Sequence, residues 1–420
     1  MEIVFAGEQD RGAPLTWGQR HVLRNTAASP HVRIVPVPDV PVARAATAVG
    51  DLVGRHEALR TALTGADKQC AQATGTLPVE LIRAGPAEAR VAAEQAHELL
   101  AGPFDRAAGR PLRAALVADG AVVHHAVLVC DPAAVDHEGM DLVVNDLALL
   151  MRGALPVRTA RQPVDDARQQ RSEQGRRLTE RAIRFWAGEL DRLAPAPGYP
   201  PGERYAATMR SPAMHTAAHA IAGRHGVSTS TVYLAATAGL VGGLTRRPVA
   251  GLRTAVSNRF YPDRHDVVAA IAQDGVLVLD LGAPSFDDLV QQAWRAATRS
   301  HRFARYDPDR LADALPPLPF ACFDSRPGRR EVPALPAQAE LRAAAERTTL
   351  TWDRAPGRDT FSVLVDGSDV TIRADHGLVP KADVECWLQA LEGLLICAAY
   401  RDVATGELPA LLAAKGSRPR

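Results

Sequence analysis

An apolar run that ends abruptly in a knot of ionisable residues and resumes as an amphipathic helix constrains this chain more than any other stretch. From Ala121 to Leu150 the sequence reads AVVHHAVLVC, then DPAAVDHEG, then MDLVVNDLALL. The first ten residues have the composition of a buried strand, whereas Met140, Val143, Val144, Leu147, Leu150 and Met151 recur at helical spacing. Between them lie Asp131, Asp136, His137 and Glu138. Rigid elements on both sides hold such a loop while its tips stay available for chemistry. A fold that places a strand beside a helix, and a site at their junction, is therefore expected.

Composition narrows the function classes. A formal net charge of +1 over 420 residues leaves no electrostatic footprint for nucleic acid or an acidic membrane surface. Cys70, Cys130, Cys322, Cys386 and Cys397 are scattered, odd in number and mostly set in apolar runs, which reads as buried thiols in a reducing compartment. The N-terminal MEIVFAGEQDRG lacks a basic leader, and Val227 to Leu244 carries too many Ser and Thr for a membrane span. Lysine stands only at Lys68, Lys381 and Lys415 while arginine and alanine abound, a bias of GC-rich bacterial genomes. The expected setting is a bacterial cytoplasm.

Along the chain, a segment from Pro14 to Arg24 leads into a helix, and the apolar stripe from Val42 to Leu63 predicts one helix over Pro41 to Leu63. A strand is expected at Val79–Arg83 and a helix over Ala87–Leu100. Leu112–Ala118 and Ala121–Cys130 read as a hairpin turning at Asp119-Gly120. A single charged helix is expected over Val164–Leu190, followed by a proline-rich linker, APAPGYPPG, at Ala194 to Gly202. Beyond it, helices are expected at Pro212–His225, from Ser228 or Thr229 through Leu244, at Phe286–Arg302 and at Ala382–Tyr400. Strands are expected at Val249–Val256, Val276–Leu281, near Phe320–Phe323, and at Phe361–Val365 and Val370–Ala374. The domain division is thus residues 1–192, a linker at 193–202, and 203–420.

Several of these segments carry a resemblance. Thr16-Trp17-Gly18-Gln19-Arg20-His21-Val22-Leu23 is similar to an S-x-A-Q-x-R-x-W opening, Arg55-His56-Glu57-Ala58-Leu59-Arg60-Thr61 gives R-H-E-x-L-R-T in full, and Phe104-Asp105 precedes Pro111-Leu112-Arg113-Ala114-Ala115-Leu116. Phe185-Trp186 with Leu190, Ser257-Asn258-Arg259-Phe260, and the S-F-x-D-L-V stretch Ser285–Val290 follow in order. Together they resemble the condensation domains of nonribosomal peptide synthetases, over essentially the whole chain. That resemblance implies an α/β fold of two chloramphenicol-acetyltransferase-like lobes, set as a V-shaped pseudodimer with an interlobe tunnel. No adenylation segment or carrier-protein serine motif accompanies the lobes, so a stand-alone unit is expected.

The family's H-H-x-x-x-D-G motif aligns with Asp131-Pro132-Ala133-Ala134-Val135-Asp136-His137, so only the Asp is kept. Pro132 stands where the resemblance implies the general base and has neither a titratable group nor a backbone N–H. Asp136 is expected to form a structural ion pair with Arg259, in the family an arginine of the other lobe. His137 and Asp131 are the candidate catalytic residues. His137 is either a relocated base oriented by Asp131 or Glu138, or a loop histidine that is solvated or blocks the tunnel; Asp131 is either catalytic or a loop-capping carboxylate. His124 and His125 point to opposite strand faces and read as packing, and no spacing supports a metal site.

By that resemblance the chain is a transferase of natural-product biosynthesis that passes an acyl or peptidyl thioester from a carrier protein to a small-molecule amine. Its substrate would arrive on a phosphopantetheine arm, with no cofactor of its own. An amine is partly neutral near its pKa of about 8 and attacks without a base, which an alcohol does not. Two alternatives stand beside it: a degenerate protein that docks carrier proteins or recruits a tailoring enzyme, and a coenzyme-A-dependent acyltransferase or cyclase on the same fold.

Overall fold

In a computed structural model, the apolar run before the ionisable loop is a central strand, Val122–Cys130, paired antiparallel to both Leu112–Asp119 and His31–Pro41. The structure describes residues 1–24, 29–85, 89–100, 102–156, 161–194, 202–316, 319, 321–326, 334–355, 360–404 and 407. Most of the proline-rich linker, residue Phe320 and the last residues of the chain lie outside that set. The turn expected at Asp119-Gly120 is displaced by one residue. Asp119 still pairs with Val122, so Gly120 and Ala121 form the turn. Only Gly120, at φ 54°, takes the left-handed conformation, as the first position of a II′ turn requires.

The chain divides into two units. The first comprises residues 1–180, 257–273 and 305–311; the second comprises 181–256, 274–304 and 312–420. A single cut at residues 193–202 therefore does not describe the division, because two later segments pack with the first unit.

In the first unit, the described residues form a five-stranded sheet in the order Glu2–Ala6, Thr74–Arg83, Leu112–Asp119, Val122–Cys130, His31–Pro41. The period-two alternation of strand side chains builds its two cores. Ala114, Leu116, Ala118, Ala126, Leu128 and Cys130 face a core shared with the helices Val42–Arg55 and His137–Met151. Ala115, Val117, Val127 and Val129 face Ala89 and Ala93 of the helix Ala89–Leu100. A smaller sheet orders Arg11–Pro14, Lys68–Ala71 and Thr61–Thr64.

Two expected helices are interrupted. Pro41–Leu63 is the helix Val42–Arg55, a 3₁₀ turn Glu57–Arg60 and the strand Thr61–Thr64. The break falls where His56 turns extended (φ −105°, ψ 109°) and buries its ring against Asp146, Nε2 to Oδ2 2.9 Å. Val164–Leu190 is likewise two helices, Pro163–Gln170 and Glu173–Leu190, divided where Ser172 Oγ donates to the Gln169 carbonyl at 2.7 Å.

The second unit holds a seven-stranded mixed sheet in the order Gln273–Asp280, Val249–Val256, Ala321–Arg326, Phe361–Asp366, Asp369–Asp375, Arg204–Arg210, Thr349–Arg354. The helices Pro212–His225, Thr229–Thr245, Phe286–Arg302 and Lys381–Tyr400 contribute to its core. Ser211, Ser228 and Ser285 cap three of them by accepting from the N–H three residues on. Among the described residues no single helix is long and apolar enough to cross a membrane. The five cysteines are free thiols, but only Cys130 is fully buried; the other four are half-buried, contrary to the expectation that all are interior.

Candidate functional site

The loop after Val122–Cys130 is a tight turn closed by its own backbone. The N–H groups of Ala134 and Val135 donate to the Asp131 carbonyl at 2.9 and 3.2 Å. Pro132 occupies the second turn position, where its fixed φ is favourable, and it is buried. No proton-handling group stands at this point of the loop. The Asp131 side chain, 1% exposed, accepts from the Ala133 N–H at 2.9 Å. Arg106 grips it with both arms of the fork, Nε to Oδ2 2.7 Å and Nη2 to Oδ1 3.1 Å. A carboxylate held this way is a loop clamp, and its lone pairs are directed at donors rather than at a substrate.

Asp136 caps the helix His137–Met151, accepting from the Gly139 N–H at 2.8 Å. It also receives Arg259 Nη1, at 2.8 Å to Oδ1 and 2.9 Å to Oδ2, and the N–H groups of Ile271 and Ala272, both at 2.9 Å. Burial alone would raise the pKa of this carboxyl. The Arg259 charge and hydrogen bond, with the backbone donors, overcome that and hold it below the usual carboxylate range. Arg259 in turn donates to the carbonyls of Val267 and Ala269 at 2.9 and 3.1 Å. The expected Asp136–Arg259 pair is therefore present, and it ties the 257–273 segment to the helix start within the first unit. Asn258, left-handed at φ 58°, turns the chain into this position and donates to the Ile271 carbonyl at 3.0 Å.

Glu138 behaves in the opposite way. Burial pushes its carboxyl up, and attraction to Arg259 with a hydrogen bond from Ser257 only partly offsets this. Gly139 is a packing requirement: a Cβ there would lie 2.8 Å from Arg259 Nη2 and 2.9 Å from Val135 Cγ1.

His137 is the first residue of the helix and is partly exposed. Arg33 Nη2 lies 3.4 Å from both of its ring nitrogens and donates to its carbonyl at 3.2 Å. The same guanidinium is salt-bridged to Asp141 at 2.6 Å. The His31 ring meets His137 edge-on, centroids 6.0 Å apart. A guanidinium N–H against the imidazole competes for the lone pair that a general base would use. Asp131, meanwhile, is engaged by Arg106.

Three other histidines, His56, His124 and His125, lie in packed surroundings. His56 is buried, and burial lowers its pKa, so its neutral Nε2–H donates to Asp146. His124 pairs with Asp39 at 3.2 Å, and burial lowers the pKa of the neighbouring His125. A small cleft, partly open to solvent, adjoins the loop and is lined by Gln19, Thr61, Arg106, Pro111, Asp131 and Ala134 among others. Arg106 and Arg33, which fix the loop's chemistry, escape the sequence reading. Arg106 lies next to the Phe104-Asp105 motif pair, the only signal that points to it; nothing near Arg33 marks it.

The sequence matches no known protein family and no curated protein. Solved structures do match. The SgcC5 protein of Streptomyces globisporus superposes with a TM-score of 0.69 at 18% identity, over 92% of this chain and 99% of that one. The condensation domain of the monacolin K polyketide synthase MokA gives 0.73 at 16% identity, over 95% and 100%. The X-domain from teicoplanin biosynthesis, solved in complex with OxyB, gives 0.67 at 19% identity, over 96% and 97%.

Proposed function

We propose that this chain, which has the fold of the condensation domains of nonribosomal peptide and polyketide synthases, serves natural-product assembly as a docking protein for carrier proteins and not as a histidine-dependent condensation catalyst. One observation supports the proposal: the loop position where the resemblance places a general base holds none. Position 132 is a buried proline, and Asp131 and Asp136 are each neutralised by an arginine and backbone N–H groups. A general base contributes roughly 10²–10⁴ in rate, and His137, the imidazole at the start of the helix, is engaged by Arg33. What survives is the clamp-and-cap framework. The fold it shares with the teicoplanin X-domain, crystallised with a second protein, supports a role in recruitment. The carrier's phosphopantetheine arm would be bound cargo rather than a resident cofactor.

The test is direct binding of loaded and unloaded carrier proteins by interferometry. Saturable binding of a carrier with no acyl product is expected; product formation above the uncatalysed rate, or no binding by any carrier in the panel, overturns the proposal. The partial exposure of His137 favours a second reading, transfer of the acyl group from the thioester to an amine by positioning, with His137 as proton acceptor. Holding both reactants together supplies about 7–11 kcal/mol without a base. On that reading, acyl transfer is measurable and falls in His137→Ala.

A further inference from the structure

Away from the loop, the first unit contains an arginine that forms no ion pair of its own among the described residues. Around Asp166, which is fully buried, three guanidiniums gather. Arg264, 2% exposed, takes both carboxylate oxygens of Asp166 at 2.7 Å. Arg161 bonds the same carboxylate and reaches Asp263 at 2.7 Å. Arg305 is the third, and among the described residues it forms no ion pair. Its guanidinium lies over the Tyr261 ring, 4.7 Å from the centroid. The nearby carboxylates are already committed: Asp307 accepts from Arg20 at 3.2 Å, and Asp309 from Arg20 and Arg24 at 2.9 and 2.7 Å. Arg264 Nε is also buried with no acceptor among the described residues. Burial lowers the pKa of Arg305 and repulsion from Arg264 adds to that, while attraction to Asp166 and a hydrogen bond with Tyr261 only partly offset them. Phe260 packs on Tyr261 with ring centroids 4.5 Å apart and is 52% exposed, which sets an apolar wall beside the charge.

We infer that Arg305, Tyr261 and Phe260 form a binding site for the oxyanion end of an organic ligand, a carboxylate or a phosphate ester carried on an apolar body. A half-buried guanidinium offers a planar fork to either head group, and the aromatic pair offers contact area to the body. Three guanidiniums against the two carboxylates Asp166 and Asp263 leave one positive charge, which fits a single oxyanion. This site is independent of the carrier-docking proposal, since it rests on none of the loop residues.

Ligand-observed NMR titration of the intact chain with benzoate and with phenyl phosphate, at constant ionic strength, tests it. Saturable binding of at least one of the two is expected, and which one binds identifies the head group. Arg305→Gln should weaken that binding by about tenfold or more, the loss of a charge-assisted hydrogen-bonded contact. Phe260→Ala should weaken it several-fold. Arg305→Gln should melt no lower than the parent, since it removes a half-buried charge that no carboxylate contacts directly among the described residues. If that variant does not fold, Arg305→Lys, which keeps the charge and loses the fork, should still bind more weakly. Equal affinity in parent and variant, or no binding of either anion up to about 10 mM, overturns the inference.

Discussion

Asp136 and Glu138 stand two residues apart and respond to pH in opposite senses. The Asp136 pKa is held below its unfolded value near about 3.9, so it contributes stability that is fully present above that value and is lost as pH falls through the folded one. Asp136→Ala strands a buried Arg259 and should cost about 3–5 kcal/mol at neutral pH, read from urea unfolding. The difference from the parent should shrink on acidification. The Glu138 pKa is raised, so its charged form opposes folding once pH exceeds the ordinary carboxylate value. Glu138→Gln should therefore raise the urea midpoint at pH 7, and the gain should fade as pH drops towards about 4.3. If both variants shift in the same direction at neutral pH, the assigned causes are wrong.

Among the elements, the helix His137–Met151 depends on the segment that closes over its start. Ile271 and Ala272 donate their N–H groups to Asp136, so Arg259→Met should increase hydrogen exchange at those two amides more than in the Val122–Cys130 strand. Unchanged protection would show that Arg259 does not hold the segment. Gly139→Ala crowds the Arg259 guanidinium and the Val135 side chain, with an expected cost of about 1–3 kcal/mol on unfolding. Element identity was legible wherever the period was long and uninterrupted. Pro212–His225, Val249–Val256 and Phe286–Arg302 begin and end where their caps and turn residues place them. The stripe from Val42 to Leu63 misled because Leu59 and Leu63 keep helical spacing by coincidence. The chain breaks at His56 for a partner, Asp146, that lies 90 residues away.

For the whole molecule, the fold was legible in ordered short motifs, and their partners explain why each is spelled as it is. In Arg55–Thr61, Glu57 receives Arg11 at 2.8 Å, His56 meets Asp146, and Arg60 bonds the carbonyls of Gly54 and Gln72. The division into units was not legible. Residues 257–273 follow a strand of the second unit, yet their carbonyls and amides are satisfied by Arg259 and Asp136 in the first. The candidate site was half legible: the Asp136–Arg259 pair could be expected, whereas Arg106 and Arg33, which occupy Asp131 and His137, could not.

The proposal that ion pairs stand in place of proton chemistry at the loop is tested most directly by acyl transfer from a loaded carrier protein to an amine, followed by intact mass spectrometry. The expected trace for the parent chain coincides with the protein-free control, and His137→Ala leaves it unchanged. Transfer well above that control, abolished by His137→Ala, would contradict the claim.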